Sequence, residues 1–289
     1  MAKRVSLFRR IMNKLDQPLT AIDDLRDLAI LQQTRVLQAE HQNPLNRFGR
    51  KCYSQSDEDG ITVEILRRMG HLEGGVFAEF GVGNGMENNT LVLAALGWSG
   101  FWVGGEELQF SMNDNPSKKY AYLREWITRV NVLELAKLGL SRIGADRADV
   151  VSVDVDGNDI YLVEELLNGG VRPKLFIVEY NAKFFPPIRF QIAYDSAHQW
   201  AEDDYFGASL SSFHDLFSSR GYRLVCCNSH SGANAFFVDE QYSNRFADVP
   251  AEVSALYAEP RYYLYRHFGH KPSVLSVSKI LGLNAPPNI

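Results

Sequence analysis

The chain has 289 residues, 45% of them hydrophobic and 22% charged, with a formal net charge of −5. This supports one large globular domain with extensions, or two small ones, and no disulfide framework is needed to hold it. The acidic balance argues against a surface that tracks nucleic acid, the three cysteines form no C-x-x-C pair, and no apolar run nears the ~20 residues of a membrane span.

Residues 1–15 read as a short basic amphipathic helix. Val5, Leu7, Phe8, Ile11, Met12 and Leu15 share a side, and Lys3, Arg4, Arg9, Arg10 and Lys14 are its charges, with no acid among them. Two roles stay open: contact with an anionic membrane surface, or packing on the body or a second subunit. The basic residues precede no apolar signal segment, so a cytoplasmic location is expected, with membrane association as an option. A second helix is expected over 20–41, with Thr20 and Asp23 as a capping pair. Its stripe of Leu25, Leu28, Leu31, Val36 and Leu37 suits pairing with a protein or a second copy. Asn43-Pro44 breaks the pattern. The expected organisation is a helical extension over 1–45, a main domain over 46–245 and a C-terminal extension over 246–289.

A helix is expected over 57–69, carrying Ile61, Ile65, Leu66 and Met69. Apolar strand-like runs follow at Val76–Phe80, 101–103, 127–132, 150–155, 175–180, Tyr222–Cys227 and 233–238. The early runs alternate with helical stretches, which implies parallel β-α-β units. The last two are too close for a helical crossover and should form an antiparallel hairpin. The expected fold is α/β: a Rossmann-like, seven-stranded, mostly parallel sheet with an antiparallel last strand, plus N-terminal helices. Residues 183–212 form a long insertion, a kind of loop that often carries function.

The first strand runs into Gly81-x-Gly83-x-Gly85. Glycines permit a tight turn and close approach of a ligand to backbone. A dinucleotide fingerprint would need glycine where Met86 stands, and no Gly-Lys-Ser/Thr follows to make a phosphate loop. Glu79, just before the turn, would repel a pyrophosphate but suit a cationic or amino ligand. Glu106, after the second strand, is placed to accept from ribose hydroxyls. Asn131, at the end of the expected third strand, offers an amide to an adenine edge.

Glu79-Phe80-Gly81-Val82-Gly83-Asn84-Gly85 resembles the [DE]-x-G-x-G-x-G signature of class I S-adenosylmethionine-dependent methyltransferases. Tyr53-Ser54-Gln55-Ser56-Asp57-Glu58-Asp59-Gly60, Glu87-Asn88-Asn89-Thr90, Asp204-Tyr205-Phe206-Gly207-Ala208-Ser209 and Gly232-Ala233-Asn234-Ala235-Phe236-Phe237-Val238 resemble FkbM-like members of that class. The likeness covers about residues 52–240. It implies S-adenosylmethionine held by Glu79, Gly81, Gly83, Gly85, Asn89, Glu106, Asn131 and Asp154. It also implies O-methylation of a hydroxyl on a sugar or cell-surface glycan.

The fourth run ends Asp154-Val155-Asp156-Gly157-Asn158-Asp159 and the fifth ends Glu179-Tyr180-Asn181. Strand ends in a parallel sheet share one rim, where crowded carboxylates invite a cation or a positive substrate. Asp154, Glu179 and Asn181 are therefore candidate ligands for Mg, Mn or Ca. Helix capping by Asp156 or Asn158 is the structural alternative. His198, in the insertion, is the candidate base, beside Asp154 as a second catalytic residue; His214 and His230 are the other histidines considered. The insertion's aromatic residues suit stacking on a sugar ring. Two rival functions stay open: a metal-dependent glycosyltransferase using Asp154-x-Asp156, and a non-catalytic scaffold of methyltransferase fold.

Overall fold

The computed structural model describes residues 2–112, 118–201, 203–261 and 281–283, with side chains from residue 21 onward. A single helix, α1 (Ala2–Glu40), opens the chain. The two helices expected over 1–15 and 20–41 are thus one. Pro18 lies inside it, where it removes one backbone donor without ending the helix. The sidedness expected of residues 1–15 lies outside the described side chains. Further along α1, Ile30, Thr34 and Gln38 are buried at i, i+4 and i+8, while Ile22, Leu25, Leu28 and Val36 face outward. Among the described residues no helix is long and apolar enough to cross a membrane.

A 3-10 turn over Pro44–Phe48 leads to α2 (Glu58–Met69). Among the described residues seven strands and five further α-helices follow: β1 (Val76–Phe80), α3 (Leu91–Ala95), β2 (Ser99–Gly104), β3 (Tyr120–Arg124), α4 (Val132–Ile143), β4 (Val150–Val153), α5 (Asp159–Asn168), β5 (Leu175–Glu179), α6 (Leu210–Ser218), β6 (Tyr222–Cys227), β7 (Asn234–Asp239) and α7 (Val253–Leu256). They build one sheet of order β3-β2-β1-β4-β5-β7-β6. Neighbours from β3 through β5 pair in parallel, and β7 runs antiparallel to both β5 and β6. This is the Rossmann-like sheet with a reversed last strand that the spacing predicts.

The third strand is displaced from its expected place. It is Tyr120–Arg124, paired with β2 from Gly100 to Gly104. Residues 127–131 turn instead of extending, and Val130 is 91% exposed. The β-branched run there imitates a strand, but it has no neighbouring strand to pair with. β1, β4 and β5 are almost wholly buried and read as mostly apolar runs, as strands covered on both faces do.

The flanking segments join this core. Leu45 is buried in it. Beyond residue 245, Phe246, Val249, Leu256 and Ala258 are buried as well. The Ala258 carbonyl accepts from Tyr180 Oη, and the Ala182 carbonyl accepts from Tyr257 Oη. Cys226 and Cys227 are buried free thiols and Cys52 is an exposed one.

Candidate functional site

In the sheet order, β2 lies on one side of β1 and β4 on the other. The chain therefore changes direction across the sheet between β1 and β4, and ligands of open α/β sheets settle at the carboxyl ends of strands at such a point. Here the structure has a cleft of two lobes, with cavities of about 320 and 420 Å³. Gly81, Gly83, Glu106, Asp154, Asp156 and Trp200 line both.

The glycines of the β1 turn have different reasons to be glycine. A Cβ on Gly81 would sit 1.6 Å from the Asp154 carbonyl oxygen, and φ is +94°, so the turn presses against the end of β4. A Cβ on Gly83, at φ +48°, would meet nothing within 4 Å. Gly83 thus leaves open the space that a ligand over the turn needs. Gly85 is hemmed in by Leu108 and Phe110.

Glu79 is used differently from the expectation. Its carboxylate is buried and accepts from Asn89 N, Thr90 N and Thr90 Oγ1. It ties the segment before α3 to the end of β1, so its part in the cleft is to shape the wall. Burial pushes its carboxyl up to about 7. The Asn89 amide donates to Ser152 Oγ, which fixes another wall residue.

Glu106 follows β2 in a turn whose Gly104 and Glu106 carbonyls both accept from Tyr122 Oη. Its side chain lines both lobes. Asn131 does not reach the cleft lining. Its Oδ1 accepts from Thr128 N and Oγ1, and its Nδ2 donates to the Trp126 carbonyl. The displaced third strand is the reason: the segment after β3 delivers Trp126 and Ile127 to the cleft instead. Sequence reasoning missed this pair; the Tyr-Ala-Tyr-Leu alternation before it is the signal that locates the strand.

The acidic rim forms, with a changed membership. Carboxylate oxygens of Asp154, Asp156 and Glu179 all lie within 4.8 Å of one another. Burial, then the neighbouring acids, raise Asp154 and Glu179 well above the usual carboxylate range. Asp156 is raised by desolvation and then by Glu106, with His198 acting the other way. Glu179 Oε2 is buried without a hydrogen-bond partner. Asn181 does not join the cluster. Its Nδ2 donates to the Asp204 and Phe206 carbonyls and its Oδ1 accepts from Lys183 N, so it pins the insertion instead.

Capping does not consume the rim either. Asp159, inside α5, accepts from Val155 N and Gly157 N. Asn158 makes no capping bond and donates to the Asp195 carbonyl. Asp156 sits at φ +54°, the left-handed region, which costs roughly 1–2 kcal/mol for a residue other than glycine.

The insertion is a folded arm across these loops. Ser196 and Ile192 carbonyls accept from Trp126 Nε1 and Tyr161 Oη, and Tyr194 Oη accepts from Arg129 N. His198 packs on Gly157, where any Cβ would lie 2.2 Å from the imidazole Cδ2. Its Nε2 is buried without a hydrogen-bond partner. It lines the lobe of Trp126, whereas Glu179, Phe206 and Asn234 line the other. Of the aromatics expected to meet a ligand, Trp200 and Phe206 reach the cleft, edge-to-face at 5.9 Å. Phe184 and Phe190 stack on each other. His214 lies on α6 outside the cleft lining, and His230 is buried against Thr34 of α1.

No family model matches the chain, and no curated protein matches it in sequence. Solved structures do resemble it. One, provisionally assigned as an RNA methyltransferase from Pyrococcus horikoshii, is 10% identical over 72% of this chain and 95% of that one, with a TM-score of 0.36. A methyltransferase of calicheamicin biosynthesis, bound to S-adenosylhomocysteine, is 15% identical over 62% of this chain and 55% of that one, at 0.34. An O-methyltransferase family 2 protein from Planctomyces limnophilus, in complex with apigenin, is 10% identical over 64% and 63%, also at 0.34. These likenesses concern the fold, and the ligands named are those proteins' own.

Proposed function

We propose that the chain is an S-adenosylmethionine-dependent O-methyltransferase acting on a hydroxyl of a sugar or glycan. The observation that carries this reading is the two-lobed cleft at the β1–β4 crossing, with the open Gly83 turn on its floor and Glu106 between its lobes. Trp126 and Ile127 suit the flat face of an adenine, and Glu106 suits ribose hydroxyls. The acidic lobe suits the positive charge of a sulfonium amino acid. When bound, the cofactor supplies a methyl group on sulfonium sulfur.

The chain's own residues would hold and orient the acceptor. Trp200 and Phe206 offer apolar faces and Asp154 and Glu179 offer hydrogen-bond acceptors, the combination that sugars require. With the cofactor bound, the sulfur–methyl bond would break as the oxygen–methyl bond forms, leaving S-adenosylhomocysteine, and the carboxylate cluster would take the hydroxyl proton. Positioning supplies most of the rate. His198, in the lobe of Trp126, closes over the cofactor side of the cleft and is a less direct base than the cluster.

The same three carboxylates fit a divalent cation. Their donors are all oxygen, which selects Mg, Mn or Ca, and the unpartnered Glu179 Oε2 is an atom such an ion would satisfy. An ion there would polarise the acceptor hydroxyl. This observation also favours the second reading, glycosyl transfer through Asp154 and Asp156. Titration with S-adenosylhomocysteine and with a nucleotide-sugar separates the two. Saturable binding of the former, weakened about tenfold to a hundredfold in Glu106→Ala, supports methyl transfer. Binding of the nucleotide-sugar alone would overturn it. A gain of one methyl group on a glycan acceptor, read by mass spectrometry with and without chelator, then assigns the substrate and the role of the ion.

A further inference from the structure

A larger cavity, about 550 Å³, lies between α1 and the body, apart from the cleft. Arg35 comes to it from α1, Arg47 from the turn over Pro44–Phe48, and Arg50 and Lys51 from the loop that follows. None of these four cations is in an ion pair among the described residues. Arg50 donates to the Gly49 and Arg47 carbonyls, and Lys51 donates to the Ser54 and Gln55 carbonyls. Those bonds fix the two side chains in place and leave their charges uncompensated. Asp57 is the carboxylate in the lining; it accepts from Gln38 and Asn228, and burial pushes it up to about 7, which weakens its opposition to an anion.

Four cations gathered in one concavity, on a chain of net charge −5, are a local arrangement and not a generally basic surface. Arginine forks and a lysine point charge are the donors that phosphate oxygens select. Leu31 and Ala39 of α1 add apolar surface to the lining, so room remains for the body that carries the phosphate. A concave site suits a small phosphorylated group better than a polyanion laid on a surface. We infer that this cavity is a binding site for a phosphate or diphosphate group. The inference stands independently of the methyl-transfer reading. The two sites share a wall: Gln55 lines the cleft, while the next residues, Ser56 and Asp57, line this cavity.

The test is calorimetric titration of the full chain with inorganic pyrophosphate, alongside flotation with phosphatidylcholine vesicles with and without phosphatidic acid. Saturable pyrophosphate binding, weakened about tenfold to a hundredfold in Arg47→Ala/Arg50→Ala and partly restored in Arg47→Lys/Arg50→Lys, supports a soluble phosphorylated ligand. Binding only to vesicles with phosphatidic acid, with the same sensitivity to those variants, supports a lipid headgroup as the source of the phosphate. An unchanged urea midpoint shows that the variant is intact. Failure of both probes to bind, or equal binding by the double alanine variant, overturns the inference.

Discussion

Glu106 and Glu79 are both acids beside the glycine turn, yet they do different work. Glu106 projects into both lobes and its carboxylate is bonded to no other described residue, whereas Glu79 is buried under three donors. Glu106→Ala should therefore weaken S-adenosylhomocysteine binding about tenfold to a hundredfold while leaving the urea midpoint unchanged, because it loses bonds made only to ligand. Glu79→Ala should instead unfold more easily, by about 1–3 kcal/mol, since it strands Asn89 N, Thr90 N and Thr90 Oγ1 in a buried wall. A paired measurement of affinity and urea midpoint checks both. If Glu79→Ala kept its stability and lost only affinity, the acid would be a ligand contact and the wall role would be wrong.

At the scale of elements, the β1 turn is held by its fit to β4. Gly81→Ala would put a methyl group 1.6 Å from the Asp154 carbonyl oxygen at φ +94°, so the two strand ends must part. A loss of about 3 kcal/mol or more in urea denaturation is expected. Gly83→Ala points a methyl group into open space, at an angle that alanine tolerates for roughly 1–2 kcal/mol. It should fold and lose cofactor affinity. Equal stability losses would mean that the two positions are not distinguished by β4. These elements were legible in the chain because buried parallel strands are mostly apolar runs. Val76–Phe80 falls where that pattern puts it, and the edge strand Tyr222–Cys227, antiparallel to β7, falls where the close spacing of the last two runs puts it. The third strand was not, because Ile127, Thr128 and Val130 carry strand-like side chains while strand pairing with β2 chooses Tyr120–Arg124. Single residues of the site were legible only where chain position decides them, as for Glu106 at the end of β2. Asn131 and Asn181 look like ligands in sequence, but the turn just before Asn131 takes up its amide, and the insertion more than twenty residues on takes up that of Asn181.

The whole molecule gathers acids in its interior, and this governs its response to pH. Burial pushes Asp57, Glu79 and Asp159 up to about 7 and Asp59 to about 6, and burial with the neighbouring acids raises Asp154 and Glu179 well above the usual carboxylate range. A carboxyl with a raised folded-state pKa binds its proton more tightly in the native state than in the unfolded chain. Its stabilising share is therefore full below the unfolded value near 4 and is lost as pH rises through the folded value. Burial lowers His41 and His71, whose shares run the other way, being full above about 6.5 and lost as pH falls. The acids outnumber them. Urea denaturation should show stability falling from pH 5 to pH 8 by about 3 kcal/mol or more. The cleft sets the sharpest version of this test. Glu179 Oε2 accepts no bond, so Glu179→Gln removes an acid that resists ionising without stranding a donor on that oxygen. That variant should be more stable than the parent chain at pH 8, equal to it near pH 5, and poorer in methyl transfer. Added Mg or Mn should raise the parent's midpoint at pH 8 and leave the variant's unmoved if the three carboxylates hold an ion. A flat pH profile, or a Glu179→Gln variant less stable at pH 8, would show that the buried acids are neutralised by contacts other than protons and cations.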